Sequence, residues 1–290
     1  MVTPVTPAYV MEAIQQDALF YLKLFRTLIG HPDVGLMGPA MIPFASMFVV
    51  ESHARLAEHG WSGAQVFGKT ELDSIRAARH RVKMLLSKKS DVSQLVAEFD
   101  AIVRDERDRF VGAHTGWLGP LQRWIQPDLG ISLIGGEVFS TTHATRFSFG
   151  MRFDGASLRE ASRLVAWYCS AVAHAFGGTA ENAQFSKQSL GLVMKNIKSE
   201  ALYGRGNLGT LNSPWAGAVA LILANVNFVS KVLRALVAGE SSAFTKLRVM
   251  TAFHAIESLR VVQDRLRSKG DLPKRAADVL GAVATPEVRH

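Results

Sequence analysis

Cysteine is almost absent. Cys169 is the single cysteine among 290 residues, so no internal disulfide and no CxxC metal site can form. Its setting, Leu164-Val165-Ala166-Trp167-Tyr168-Cys169, is an apolar helical run, which marks it as a small buried hydrophobe rather than a nucleophile. The chain also lacks HExxH, a GxSxG elbow and the two Glu-x-x-His pairs that a ferritin-like di-metal site uses. These absences remove the usual grounds for zinc hydrolysis, triad hydrolysis and a ferritin-like di-metal site. Glu51, His53, Glu58 and His59 are close in sequence, but their spacing does not converge on one helical face. No metal and no cofactor is expected. Residues 1–7 have neither the basic nor the apolar region of a secretory signal, so the expected location is the cytoplasm. The nearest approach to a membrane span, Trp215 to Ala238, is interrupted by Asn225, Asn227, Lys231 and Arg234. Each is costly in lipid, so a buried core helix is the better reading.

Acidic residues are outnumbered. Lys and Arg total 33 against 25 Asp and Glu, a formal charge of +8. A cationic surplus attracts polyanions such as RNA. Hydrophobic residues make up 48%, enough for a substantial core. The mean hydropathy of +0.12 is on the apolar side for a soluble chain. It points to extensive helix–helix packing, an oligomer interface or lipid contact.

The apolar periodicity is mostly helical. A first helix is expected from about residue 8 to 29, with Thr6-Pro7 at its start and Gly30-His31-Pro32 at its end. A second spans about Pro39 to Glu58, with Pro43 near its first turn. A third runs from Thr70 to about Ser87, and a fourth from Asp91 to about Val111. Residues 115–155 are rich in helix breakers. There, Ile131–Ile134 and Glu137–Ser140 flank Gly135-Gly136, and Arg146–Phe153 alternates as a strand does. This stretch reads as an insertion carrying a small β-hairpin. Helix returns at Ser157 and stops at Gly177-Gly178. Further helices are expected at about 183–203, from Ser213-Pro214 to Gly239, and at 242–268. The expected fold is all-α: a multi-helix bundle over 8–178 with that insertion, additional helices over 179–272, and a loosely ordered tail, 273–290. Gly204-Arg205-Gly206-Asn207-Leu208-Gly209 matches GxGxxG, but a helix precedes it where a dinucleotide site needs a strand, so it reads as a turn.

The segment richest in chemistry is Arg104-Asp105-Glu106-Arg107-Asp108-Arg109-Phe110-Val111-Gly112-Ala113-His114. It closes an expected helix and opens into a loop. Arg107 precedes His114 with six residues between, Arg109 with four. Across about two helical turns, with Gly112 to let the backbone bend, arginine and histidine can face one pocket. The same spacing occurs at Arg26/His31 and Arg248/His254. The first runs into a helix stop without polar flanks, and the second sits mid-helix among apolar residues.

The Arg107-Asp108-Arg109 run followed by Ala113-His114-Thr115 resembles the RX4–6H motif of the HEPN superfamily, in particular its abortive-infection-type members. The resemblance covers roughly residues 8–178. It implies a helical bundle that acts as a dimer and cleaves RNA without metal, in a toxin or antiviral role, with an antitoxin or other regulatory partner. It assigns catalysis to Arg107 or Arg109 and His114, with Asp108 orienting one of them. The chemistry is coherent: histidine titrates near neutrality and can move the protons of 2′-hydroxyl attack, while arginine offers two donors to a transition state gaining negative charge. Arg76, Arg79, Arg81, Lys83 and Arg104 are candidate RNA-phosphate contacts. The alternatives are a non-catalytic scaffold that oligomerises through apolar helices such as 214–238, and a helical protein that contacts membrane or a hydrophobic ligand.

Overall fold

A computed structural model describes residues 7–60, 75, 92–112, 125–149, 155–175, 183–203, 213–239 and 241–268. The elements in chain order are α1 (Pro7–Leu28), α2 (Val34–Glu58), α3 (Val92–Gly112), β1 (Leu129–Ile134), β2 (Glu137–Thr141), α4 (Thr142–Phe149) and α5 (Gly155–Ala175). They continue with β3 (Gln184–Phe185), β4 (Val193–Ile197), α6 (Ser199–Tyr203) and α7 (Ser213–Asn227). A π-helical stretch, Phe228–Leu233, leads into α8 (Arg234–Leu236), β5 (Val237–Ala238) and α9 (Ser242–Ser268). The fold is all-α with small sheets. The chain forms two compact units, each assembled from three segments, and residues 8–178 contribute to both.

The first unit comprises 1–82, 148–191 and 231–248. Its α1 buries Ile14, Ala18, Tyr21, Phe25 and Leu28, spaced as one face of a helix. That face packs on α2 and α5, and α2 also packs on α5. From α5 come Val165, Tyr168, Cys169 and Val172, all fully buried. The Tyr168 hydroxyl is satisfied by Ser52 Oγ at 2.8 Å. Burial pushes both the Tyr168 phenol and the Cys169 thiol well above their ordinary ranges. The short β3–β5 pair is antiparallel. Helix α2 begins earlier than expected and contains both Pro39 and Pro43, each of which forfeits an N–H to the helix ladder.

The second unit comprises 83–147, 192–230 and 249–290. The expected hairpin is present: β1 and β2 pair antiparallel around Gly135 and Gly136, whose φ values of 57° and 86° suit glycine alone. A third strand, β4, pairs with β1 on its other side, giving the order β2-β1-β4. This corrects the helix expected over 183–203, which is instead β3, an extended stretch, β4 and the short α6. Five residues of β4 meet partners on β1 some sixty residues earlier, and that long-range pairing overrides local propensity. The strand expected over Arg146–Phe153 is also corrected. Its described part, to Phe149, belongs to α4, which Thr141 opens by accepting the Ala144 N–H on Oγ1 at 2.9 Å. The helix expected from Ser213-Pro214 to Gly239 runs through α7, the π-helical stretch and α8 to Leu236, where β5 replaces its last turn.

The core of this unit gathers Phe99 and Ile102 of α3, Leu129, Ile131 and Leu133 of β1, Phe147, Tyr203, and Trp215 to Ile222 of α7. Helix α7 packs on both β2 and α3. Gly217 makes the approach to α3 possible, because a Cβ there would lie 2.2 Å from Phe99 Cε1.

Candidate active site

The sequence motif lies on the last turns of α3. Phe99 and Ile102 hold the middle of this helix in the core, and Glu106 is buried one turn further on. Its carboxylate does not face the core unpaired. Arg146 of α4, with its side chain only 7% exposed, donates from Nη1 to Glu106 Oε1 at 2.5 Å and from Nη2 to Asp105 Oδ2 at 2.8 Å. One guanidinium therefore clamps two consecutive carboxylates, the geometry in which a buried charge is affordable.

The arginines of the run point the other way. Arg104, Arg107 and Arg109 are 68%, 56% and 63% exposed, and Asp108 is exposed too. Arg104 pairs with Asp100 at 3.1 Å, and Arg109 places Nε 3.1 Å from Asp105 Oδ2. Arg107 meets Glu200 of α6 at 3.9 Å, a loose contact. Such exposed pairs are weak and are easily exchanged for a phosphate. Helix α3 thus ends with Glu106 buried, Asp105 held beside it by Arg146, and its arginines and Asp108 in solvent. His114, Arg76, Arg79, Arg81 and Lys83 lie outside the described residues. Of the expected site, the structure places Arg104, Arg107, Asp108 and Arg109 together on one helix end.

No protein-family model, no curated protein and no solved structure matches this chain. The reading of the site therefore rests on its own geometry.

Sequence reasoning missed the polar groups behind this helix. His143 of α4 is fully buried, its ring stacked on Tyr203 at 5.8 Å and edge-on to Phe99 at 6.2 Å. Neither ring nitrogen reaches hydrogen-bond geometry with a partner. Burial lowers its pKa to about 4, an effect that neighbouring Asp128 partly offsets. Asp128 is itself occupied, accepting the Ser199 N–H at 2.6 Å and its hydroxyl at 2.8 Å. No local pattern announces these partners, which come from the residue before β1, from α4 and from α6. Two bland outcomes are also visible. His31, the other histidine at motif spacing, is a buried staple: its Nδ1 accepts the Asp33 N–H at 3.1 Å, and its Nε2 donates to the Gln188 carbonyl at 2.9 Å. Among the described residues no group of three or more His, Cys, Asp or Glu is placed to hold a metal. Two stretches, Val34–Glu58 and Trp215–Leu236, are long and apolar enough to cross a membrane, and more than half of each is buried within the protein.

Proposed function

We propose that this chain is a metal-independent endoribonuclease of the HEPN type, with its centre at the C-terminal end of α3. The observation that carries the reading is the two-sidedness of that helix end. Arg146 fixes Asp105 and Glu106 from behind, and Arg107 and Arg109 stand in solvent directly before His114. In this mechanism an arginine fork binds the non-bridging oxygens of the scissile phosphate. The imidazole of His114 takes the proton of the 2′-hydroxyl, and that oxygen attacks phosphorus. The P–O5′ bond breaks, and the leaving 5′-oxygen takes a proton from a second imidazole, supplied by a second copy of the chain in a dimer. The products are a 2′,3′-cyclic phosphate and a 5′-hydroxyl. The test is cleavage of RNA by purified protein in EDTA, with mapping of the new ends. His114→Ala should abolish it. Cleavage that survives the substitution, or that disappears with chelator, rejects the mechanism.

A second reading has one observation in its favour. Val249 and Phe253, a turn apart on α9, are 63% and 60% exposed. Exposed apolar side chains at i and i+4 suit a scaffold that associates through helix faces. A protein that neither cleaves RNA nor stays monomeric, and becomes monomeric with Phe253→Glu, would favour that reading.

A further inference from the structure

Helix α5, within the first unit, carries cations and an aromatic ring along one outward face. Arg159, Arg163, Trp167, Ser170 and His174 recur at steps of four, four, three and four residues. At 100° per residue they fall in an arc of about 80°. Arg159, Arg163, Trp167 and His174 are all exposed, and the Trp167 ring, at 46% exposure, is large and apolar on a polar face. Arg163 is not free to wander. Its Nε donates to Glu160 Oε2 at 3.0 Å and its Nη2 to Glu160 Oε1 at 2.6 Å, so the guanidinium is held as an oriented plane one turn from the indole. At the far end, His174 Nδ1 donates to the Ser170 carbonyl at 2.6 Å, which leaves Nε2 for another partner.

We propose that this face of α5 binds single-stranded nucleic acid. Unpaired bases stack on Trp167 and on the Arg163 plane, Arg159 meets the backbone phosphates, and His174 Nε2 accepts a hydrogen bond from a base N–H. Stacking surfaces interleaved with cations are the chemistry that holds single strands without reading their sequence, and the chain's charge of +8 suits a polyanion. Glu160 is the one acid on α5, and Arg163 pairs with it. The site is separate from the end of α3 and does not depend on cleavage there.

The test uses the full-length protein and a fluorescein-labelled 12-mer oligo(dT), which lacks the 2′-hydroxyl and so cannot be cut by the mechanism above. Anisotropy should show saturable binding that weakens with salt. Trp167→Leu, which keeps apolar bulk but removes the ring, should weaken binding about tenfold. Trp167→Phe should bind within about threefold of wild type. Arg159→Glu should weaken binding and flatten its salt dependence, whereas Arg55→Glu, an exposed arginine on α2 paired with Glu58, should change it much less. Absence of saturable binding, equal binding by Trp167→Leu and wild type, or equal loss with Arg55→Glu and Arg159→Glu overturns the proposal. Loss of RNA cleavage in EDTA with oligo(dT) binding intact would reject the nuclease reading alone.

Discussion

Acidification is expected to destabilise the second unit through His143. In the unfolded chain this imidazole binds a proton near its ordinary value of 6.5, whereas in the folded unit burial lowers that to about 4. Facing it are Asp128, which partly offsets the effect, Arg146, which adds to it, and the rings of Tyr203 and Phe99. The sign follows from linkage. Above pH 6.5 the group is neutral in both states and costs nothing. As the pH falls towards 4 only the unfolded chain takes up the proton, so stability is lost across that window. The gap between 6.5 and about 4 amounts to about 3 kcal/mol in full, of which about 2 kcal/mol is lost by pH 5. His143→Phe removes the titration and keeps the ring. It should fold about as well at pH 7, because neither ring nitrogen has a partner at hydrogen-bond geometry and only a weak approach to the Asp128 backbone is given up. The assay is urea denaturation at pH 7 and pH 5, read by hydrogen exchange of the β1 and β2 peptides so that it reports this unit. The variant should lose about 2 kcal/mol less than wild type between the two pH values. Parallel losses would show that His143 does not resist protonation and that its burial is misjudged.

Other perturbations follow from single contacts. Gly217→Ala would place a methyl carbon 2.2 Å from the buried Phe99 ring. It should cost ~1–3 kcal/mol by chemical denaturation, and a neutral result would contradict the close approach of α3 and α7. Arg146→Ala strands the buried Glu106 carboxylate and should cost ~3–5 kcal/mol, part of it recovered by adding Glu106→Gln. No recovery would mean that the loss is not electrostatic. Cys169, buried with its thiol held protonated, should resist thiol reagents at pH 8 in the folded protein and react fully in denaturant. Rapid native labelling would contradict the packing of α5.

The long helices were legible because their signals are local. Pro7 opens α1, and apolar periodicity carries α3, α5 and α9 to ends within about two residues of expectation. The β1–β2 turn was legible from Gly135-Gly136 flanked by β-branched and aromatic residues. What escaped was set by distant partners. The four described residues of Arg146–Phe149 alternate as well in a short helix as in a strand, and the choice is made by Arg146 reaching carboxylates forty residues away. Thr141 as a cap was the available clue. Strand β4 reads as part of a helix until β1 is beside it. At the candidate site the exposed arginines were legible as a charged helix end. The burial of Glu106 among solvent-facing arginines was not, because it depends on Arg146 of α4.

That arrangement bears on which arginine meets phosphate. Moving the Arg146 guanidinium and the Glu106 carboxylate out of water costs several kcal/mol per ion, and a helix end needing only solubility would leave neither Glu106 nor the partly exposed Asp105 clamped. Here their pairing with Arg146 fixes the end of α3, as an arginine that must act without reorganising requires. The two candidates then differ. Arg109 commits its Nε to Asp105, the carboxylate already shared with Arg146. Arg107 has only the loose contact to the exposed Glu200 at 3.9 Å among the described residues, so its whole fork can turn to a ligand. If cleavage occurs at this end, Arg107→Ala should reduce kcat/KM more than a hundredfold, the loss of a preorganised donor pair. Arg109→Ala should cost about tenfold or less, with Glu200→Ala nearly silent. The opposite order of the two arginines would move the phosphate to Arg109 and make Arg107 a surface residue.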